Sequence, residues 1–170
     1  VGYNLRFHPH VKFLKDTISI DKKDKLLSVI VYAGSFMPLW RKNRNYTNVY
    51  SSKKNKGGGV EYDLSHEFDY IKWIFGKFKT LLKFNKKISN LKISSNDHLS
   101  LFGFFGKNKL ININLNYYTK IPHRKLIADF NNKTIHLDLI ENSISIKYVN
   151  SKKKIYKKIN KIDRDFTFIK

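Results

Sequence analysis

The chain has 170 residues, 41% hydrophobic and 15% aromatic, with a net charge of +21 and no cysteine. That length suits one domain, and that much apolar surface offsets the entropy of ordering it, which excludes a disordered tail. The missing cysteines exclude disulfides, thiolate nucleophiles and cysteine-ligated metals. They fit a reducing cytoplasm, and no metal site is expected. No apolar run reaches the ~18 residues that cross a bilayer, and the opening VGYNLR lacks the basic-then-apolar pattern of a signal peptide, so a soluble protein without a membrane partner is expected.

The charge invites a nucleic-acid reading. Against it, only five of the 34 basic residues are arginine (Arg6, Arg41, Arg44, Arg124, Arg164), and alanine occurs only twice. Lysine, asparagine and isoleucine fill the tolerant positions, as an AT-rich coding sequence dictates. Nucleic-acid sites recruit arginine for bidentate contacts. The lysines therefore read as a solvated background.

In chain order, 4–10 leads into a short helical pattern through Val11, Leu14 and Ile18, with Pro9 suited to the first turn. Residues 25–32 are β-branched and read as a strand. A long polar stretch, 34–59, follows; in a compact domain such a segment is functional or disordered. Residues 61–75 give the clearest helix. After it the period changes, and strands are predicted over 78–84, 88–93, 99–105, 109–118, 124–130, 134–139 and 143–148. Turn residues lie at 131–133 and 141–142. The lysine-rich 152–161 reads as a solvated strand or helix edge. Helices followed by antiparallel strands define an α+β fold: an open, mainly antiparallel β-sheet with helices on one face.

On a wheel of 100° per residue, Leu64, Phe68, Ile71 and Phe75 form the apolar stripe of the 61–75 helix. Tyr62, His66, Asp69, Tyr70 and Trp73 fall opposite, where a surface helix presents lysine and glutamate. His66 lies one turn from both Asp63 and Asp69, so either carboxylate is expected to reach its ring. Such a partner fixes the tautomer and raises basicity, as a general base requires; the other reading is a hydrogen-bonded interface histidine. Gly57, Gly58 and Gly59 before the helix read either as a flexible loop or as a backbone cradle at a positively polarised helix start.

The run GGGVEYDLSHEFDYIKWIFG at 57–76 resembles the Gfo/Idh/MocA oxidoreductases (glucose–fructose oxidoreductase, inositol dehydrogenase and relatives). GYNLRFHP at 2–9 is similar to the family's entry into its second domain. GSFMPLW at 34–40 and YSSK at 50–53 resemble a bacterial subgroup of surface-sugar and nonulosonic-acid pathways, with Asn116 where that subgroup has aspartate. The resemblance implies that residues 1–170 are a single C-terminal substrate-binding and oligomerisation domain, without its N-terminal Rossmann domain and final helices. By the same resemblance NAD or NADP is the cofactor, bound mainly by the missing domain, with Gly58 and Gly59 nearest to it here. A sugar or nucleotide sugar is the substrate, His66 the acid/base with Asp63 beside it, and a homo-oligomer forms through the sheet face. Asn4, Arg6, Trp40, Arg41, Tyr62, Asp69, Tyr117 and Arg124 are the candidate substrate contacts, with Arg6 and Arg124 suited to a carboxylate or phosphate. This chain alone is expected to be inactive. The competing readings are a basic nucleic-acid-binding module and a non-catalytic oligomerisation domain.

Overall fold

The structure, a computed structural model, describes residues 2–149 and 154–160. Helix α1 (Pro9–Ile20) starts on Pro9 and buries His10, Val11 and Leu14. Strand β1 (Leu26–Gly34) follows, then a run of short turns, and then α2 (Val60–Asp63) and α3 (Ser65–Phe75). The remaining strands are β2 (Lys79–Lys86), β3 (His98–Phe105), β4 (Lys109–Asn116), β5 (His123–Phe130), β6 (Lys133–Asp138), β7 (Ser143–Tyr148) and β8 (Lys154–Lys158). Among the described residues they form one open sheet in the order β2-β3-β4-β1-β5-β6-β7-β8. Every pairing is antiparallel except β1 with β4. The predicted α+β architecture is what forms.

Period-two alternation explains which face is covered. Val29, Val31 and Ala33 of β1, Ile111, Ile113 and Leu115 of β4, and Leu126, Ala128 and Phe130 of β5 are buried on the helix side. Each fully buried aliphatic side chain contributes roughly 1.5–3 kcal/mol. The opposite face keeps Ser100, Asn112, Asn114 and Asp129 beside exposed Ile30, Leu82 and Phe84. No helix among the described residues is long and apolar enough to cross a membrane.

Three expectations need correction. Residues 88–93 form no strand: the Asp97 carboxylate accepts from Ile88 N (2.8 Å), Ser89 N (3.2 Å) and Ser89 Oγ (2.5 Å), giving these donors a loop partner instead of a ladder. The helix at 61–75 is broken at Leu64, whose φ of −102° and ψ of 28° leave the helical region and re-aim α3 relative to α2. With that break the buried side chains become Leu64, Glu67, Tyr70 and Ile71, so Tyr70 belongs to the core and not to the polar face. The 34–59 stretch is built from successive 3₁₀ turns held by the 94–96 loop. Ser95 Oγ donates to Ser51 O (2.6 Å), Ser94 N to Ser52 O (2.9 Å) and Val60 N to Asn96 O (2.9 Å). Within 152–161, residues 154–158 form the edge strand β8, while 152–153 and 161 lie outside the described residues, as do Arg164 and 165–170.

Candidate functional site

The topology makes the site. Strand β1 is inserted between β4 and β5, so the 117–122 connection must cross over the C-terminal end of β1. Gly34 sits there, paired with Asn116 on one side and His123 on the other. A Cβ at Gly34 would stand 2.7 Å from the Asn116 amide, so only glycine fits. Asn116 shapes the crossing. Its Oδ1 accepts from Tyr118 N (3.2 Å) and Thr119 N (2.9 Å), while its Nδ2 donates to Tyr32 Oη (3.3 Å). An amide both accepts and donates, which an ionised aspartate at 116 does not.

Beneath this crossing lies a cavity of about 530 Å³. The strand ends, the turns that follow β1 and the α2 terminus enclose it, and its wall includes Trp40, Arg41, Tyr50, Asp63, Lys120 and Arg124. Trp40 is placed by a hydrogen bond from its Nε1 to Ser35 Oγ (2.7 Å) and by an edge-on contact with Tyr117 at 5.1 Å between centroids. Asp63 is held by two phenols: Tyr50 Oη donates to Oδ1 (2.8 Å) and Tyr117 Oη to Oδ2 (2.6 Å). Tyr117 is fully buried, and burial together with the Asp63 charge pushes its pKa far up. The hydrogen bond to Asp63, and then burial, raise that of Tyr50 as well, so both phenols stay protonated donors.

Arg124 enters the cavity from β5. Behind it is Glu67, with no exposed surface, whose Oε1 lies 2.7 Å from Arg124 Nε. Burial raises the Glu67 pKa, opposed by the Arg124 charge. His66 stands beside the cavity and does not line it. Its half-buried ring packs edge-on to Tyr3 at 5.7 Å, and its Nδ1 is buried with no hydrogen-bond partner. Burial, and then the positive charge of Arg124, hold the His66 pKa below the ordinary histidine value, with Asp69 pulling the other way.

The expected carboxylate partner of His66 is therefore a correction. Asp63 is engaged by the two tyrosines, and Asp69 by Arg6, through Nε at 2.7 Å and Nη2 at 2.5 Å. Arg6 and Asp69 satisfy one another, and neither reaches the cavity. Asn4 sits on the same 3₁₀ turn as Arg6, also away from the cavity wall. Tyr62 is exposed and outside the wall, its ring against Gly59. Trp40, Arg41, Asp63 and Arg124 do come together, with Tyr117 underneath.

The glycines have an internal role. A Cβ on Gly58 would fall 2.3 Å from Tyr50 O and 2.6 Å from Ser51 O, so Gly58 allows the 50–52 turn to pack on the start of α2. Gly57, at φ 76°, closes the preceding turn, and Gly59 adopts φ 148°. The Gly57 and Gly58 N–H groups donate to Lys54 O (3.1 Å) and Lys53 O (3.0 Å), so these two are engaged by the chain's own turn. Reasoning from sequence missed Glu67, Tyr50 and Lys120. The first carried a signal: Val60, Leu64, Glu67 and Ile71 follow the 4-3-4 spacing of a buried stripe, and a lone carboxylate on such a stripe requires a cation.

Residues 22–126 match the oxidoreductase family, C-terminal alpha/beta domain, and the chain belongs to that family. The matched span encloses every cavity-lining residue but Ile140. This agrees with the Gfo/Idh/MocA resemblance carried by 57–76. The fold is shared with levoglucosan dehydrogenase in complex with NADH and levoglucosan, at TM-score 0.81 and 11% identity over 99% of this chain and 53% of that one. It is also shared with an inositol dehydrogenase homolog complexed with NAD+ from Azotobacter vinelandii, at 0.74 and 10% over 98% and 46%. An oxidoreductase from Agrobacterium radiobacter in complex with NAD+, L-tartaric acid and magnesium gives 0.75 and 17% over 98% and 49%. The chain spans about half the length of these structures. No curated protein sequence matches it.

Proposed function

We propose that this chain is the substrate-binding domain of an NAD(P)-dependent oxidoreductase that acts at a hydroxyl-bearing carbon of a sugar or sugar derivative. The carrying observation is the cavity. It has the size of a small-molecule site, an indole on one wall and a phenol-held carboxylate on another, which suits a ring with one apolar face and several hydroxyls. Relatives of the same fold were solved with NADH and levoglucosan and with NADH and L-sorbose, which favours the same chemistry here. The cofactor is assigned mainly to an N-terminal Rossmann domain of the full-length protein. When bound there, the nicotinamide supplies or accepts the hydride.

This chain's own residues bind and orient the sugar and handle the proton. Asp63 accepts a substrate hydroxyl with lone pairs the tyrosines leave free, and Trp40 covers the apolar ring face. His66, kept uncharged near neutral pH, takes the hydroxyl proton or returns it. A second reading gives that proton to Asp63, because Asp63 lines the cavity and His66 does not. The uncovered sheet face, with Ile30, Leu82 and Phe84 exposed, is proposed to carry contacts between copies of the protein.

Turnover of the full-length protein, followed through the nicotinamide absorbance, tests this. His66→Ala is expected to lower kcat by about 100-fold or more with folding unchanged. Wild-type-like turnover in His66→Ala together with loss in Asp63→Asn transfers the proton to Asp63. Absence of any NAD(P)-linked sugar turnover in the wild type contradicts the oxidoreductase reading.

A further inference from the structure

The cavity wall carries three permanent cations, Arg41, Lys120 and Arg124, and a single carboxylate, Asp63, whose two oxygens already accept from phenols. Lysine outnumbers arginine by 29 to five along the chain, taking five arginines from 34 basic residues. Two of these three wall cations are nonetheless arginine. A background of dispersed lysines does not produce that choice; recognition of a planar or multidentate oxyanion does.

Arg124 is also built in. Glu67 is sealed on the helix side with its Oε1 2.7 Å from the Nε of the guanidinium, an ion pair in which neither carboxylate oxygen has a directed hydrogen bond, while Arg124 itself lines the cavity. A buried pair of this kind is a poor source of stability, since well-packed apolar residues do as well. What it does achieve is placement: the buried carboxylate holds the arginine by charge at the cavity wall. Lys120 is steadied in the same wall, its Nζ 3.3 Å from the Phe36 ring centroid. Arg41 comes close enough to Tyr50 to act on that phenol electrostatically.

We infer that the sugar this cavity takes bears an anionic oxygen group, a carboxylate or a phosphate, received by Arg124 and Arg41 with Lys120 beside them, and that Glu67 is the residue that positions Arg124. The inference rests on the reading of the cavity as the sugar site and narrows it from sugars in general to acidic or phosphorylated ones. Carboxylate and phosphate share the chemistry that the arginines read, and the probes separate them.

The experiment is equilibrium binding to the full-length protein, by calorimetry, of D-glucose, D-glucuronate, D-glucose 6-phosphate and UDP-glucose. At least one anionic probe is expected to bind 10-fold or more tighter than D-glucose. Glucuronate leading identifies a carboxylate, and glucose 6-phosphate or UDP-glucose leading identifies a phosphate. Arg124→Met and Arg41→Met are each expected to remove most of that preference. Glu67→Gln weakens it several-fold, whereas Lys107→Ala, a charge removed from the distant β3–β4 turn, leaves it in place. In turnover the Glu67→Gln loss appears in KM for the anionic sugar and not in kcat, which a merely structural defect would not produce. Equal binding of neutral and anionic probes, or a preference that survives Arg124→Met and Arg41→Met, overturns the inference. Binding needs no turnover, so anion preference without NAD(P)-linked activity defeats the oxidoreductase reading alone, and neutral-sugar turnover without anion preference defeats this inference alone.

Discussion

Helix α3 carries two arginine–carboxylate pairs, two residues apart in sequence and opposite in design. Asp69 takes Arg6 on two nitrogens, at 2.7 and 2.5 Å, with the arginine side chain 41% exposed. Glu67 has no exposure, and its Oε1 lies 2.7 Å from Arg124 Nε without a directed hydrogen bond. The first pair closes on itself and ties the 3₁₀ turn at Asn4–Phe7 to α3, whereas the second leaves its arginine facing a cavity. The field of Arg124 also extends beyond its partner, for it contributes to holding down the pKa of both His66 and His8.

The sharpest way to break this contrast is to delete each carboxylate. Glu67→Ala removes the partner of an arginine that is only 27% exposed and is expected to cost about 3 kcal/mol in denaturant unfolding. Asp69→Ala, beside the more exposed Arg6, should cost about 1 kcal/mol. Similar costs for the two would erase the distinction.

A further effect is expected with pH. His8 is buried, accepts from His10 N through Nδ1 at 3.2 Å, and meets Asn142 Oδ1 at 3.3 Å. Burial, with smaller contributions from the charges of His10 and Arg124, lowers its pKa to about 4. Its folded pKa lies below the unfolded value near 6.5, so its contribution is complete above that pH. As pH falls from there through 4, the unfolded chain takes up a proton that the folded chain refuses, and stability declines by about 2–3 kcal/mol. Unfolding curves across this window check the sign, and histidine NMR titration of Arg124→Met should show His8 and His66 both moving up. Unmoved histidines would confine the influence of Arg124 to Glu67.

Much of this was legible beforehand, for physical reasons. In β4 the alternation of Leu110 through Asn116 names the covered face, because a strand with one wet side admits only one register against a core. Asn142 marked the β6–β7 turn, and it adopts φ 49°, which asparagine tolerates. The 88–93 segment misled because its apolar content is strand-like while its backbone donors are captured by Asp97, a side chain several residues away that no periodicity reveals. The site was half visible. Trp40, Arg41 and Arg124, named beside the family resemblance, converge with Asp63 on one cavity, but helical spacing sees only neighbours on the helix and so offers Asp63 to His66. Tyr50 and Tyr117 reach Asp63 from a turn and from beyond a strand, separations of 13 and 54 residues. The break at Leu64 rotates α3, which brings Glu67 under Arg124 and takes Tyr70 inward.

The central claim, that the cavity beneath the β4–β5 crossing receives the sugar, is tested most directly by a crystal structure of the full-length protein with NAD+ and a bound sugar ligand. The ring is predicted to lie between Trp40 and Asp63, with a hydroxyl about 3 Å from the His66 ring or one water away, and any anionic group on Arg124. A sugar bound on the uncovered sheet face, or a cavity filled by the chain's own residues once the cofactor domain is in place, would contradict it.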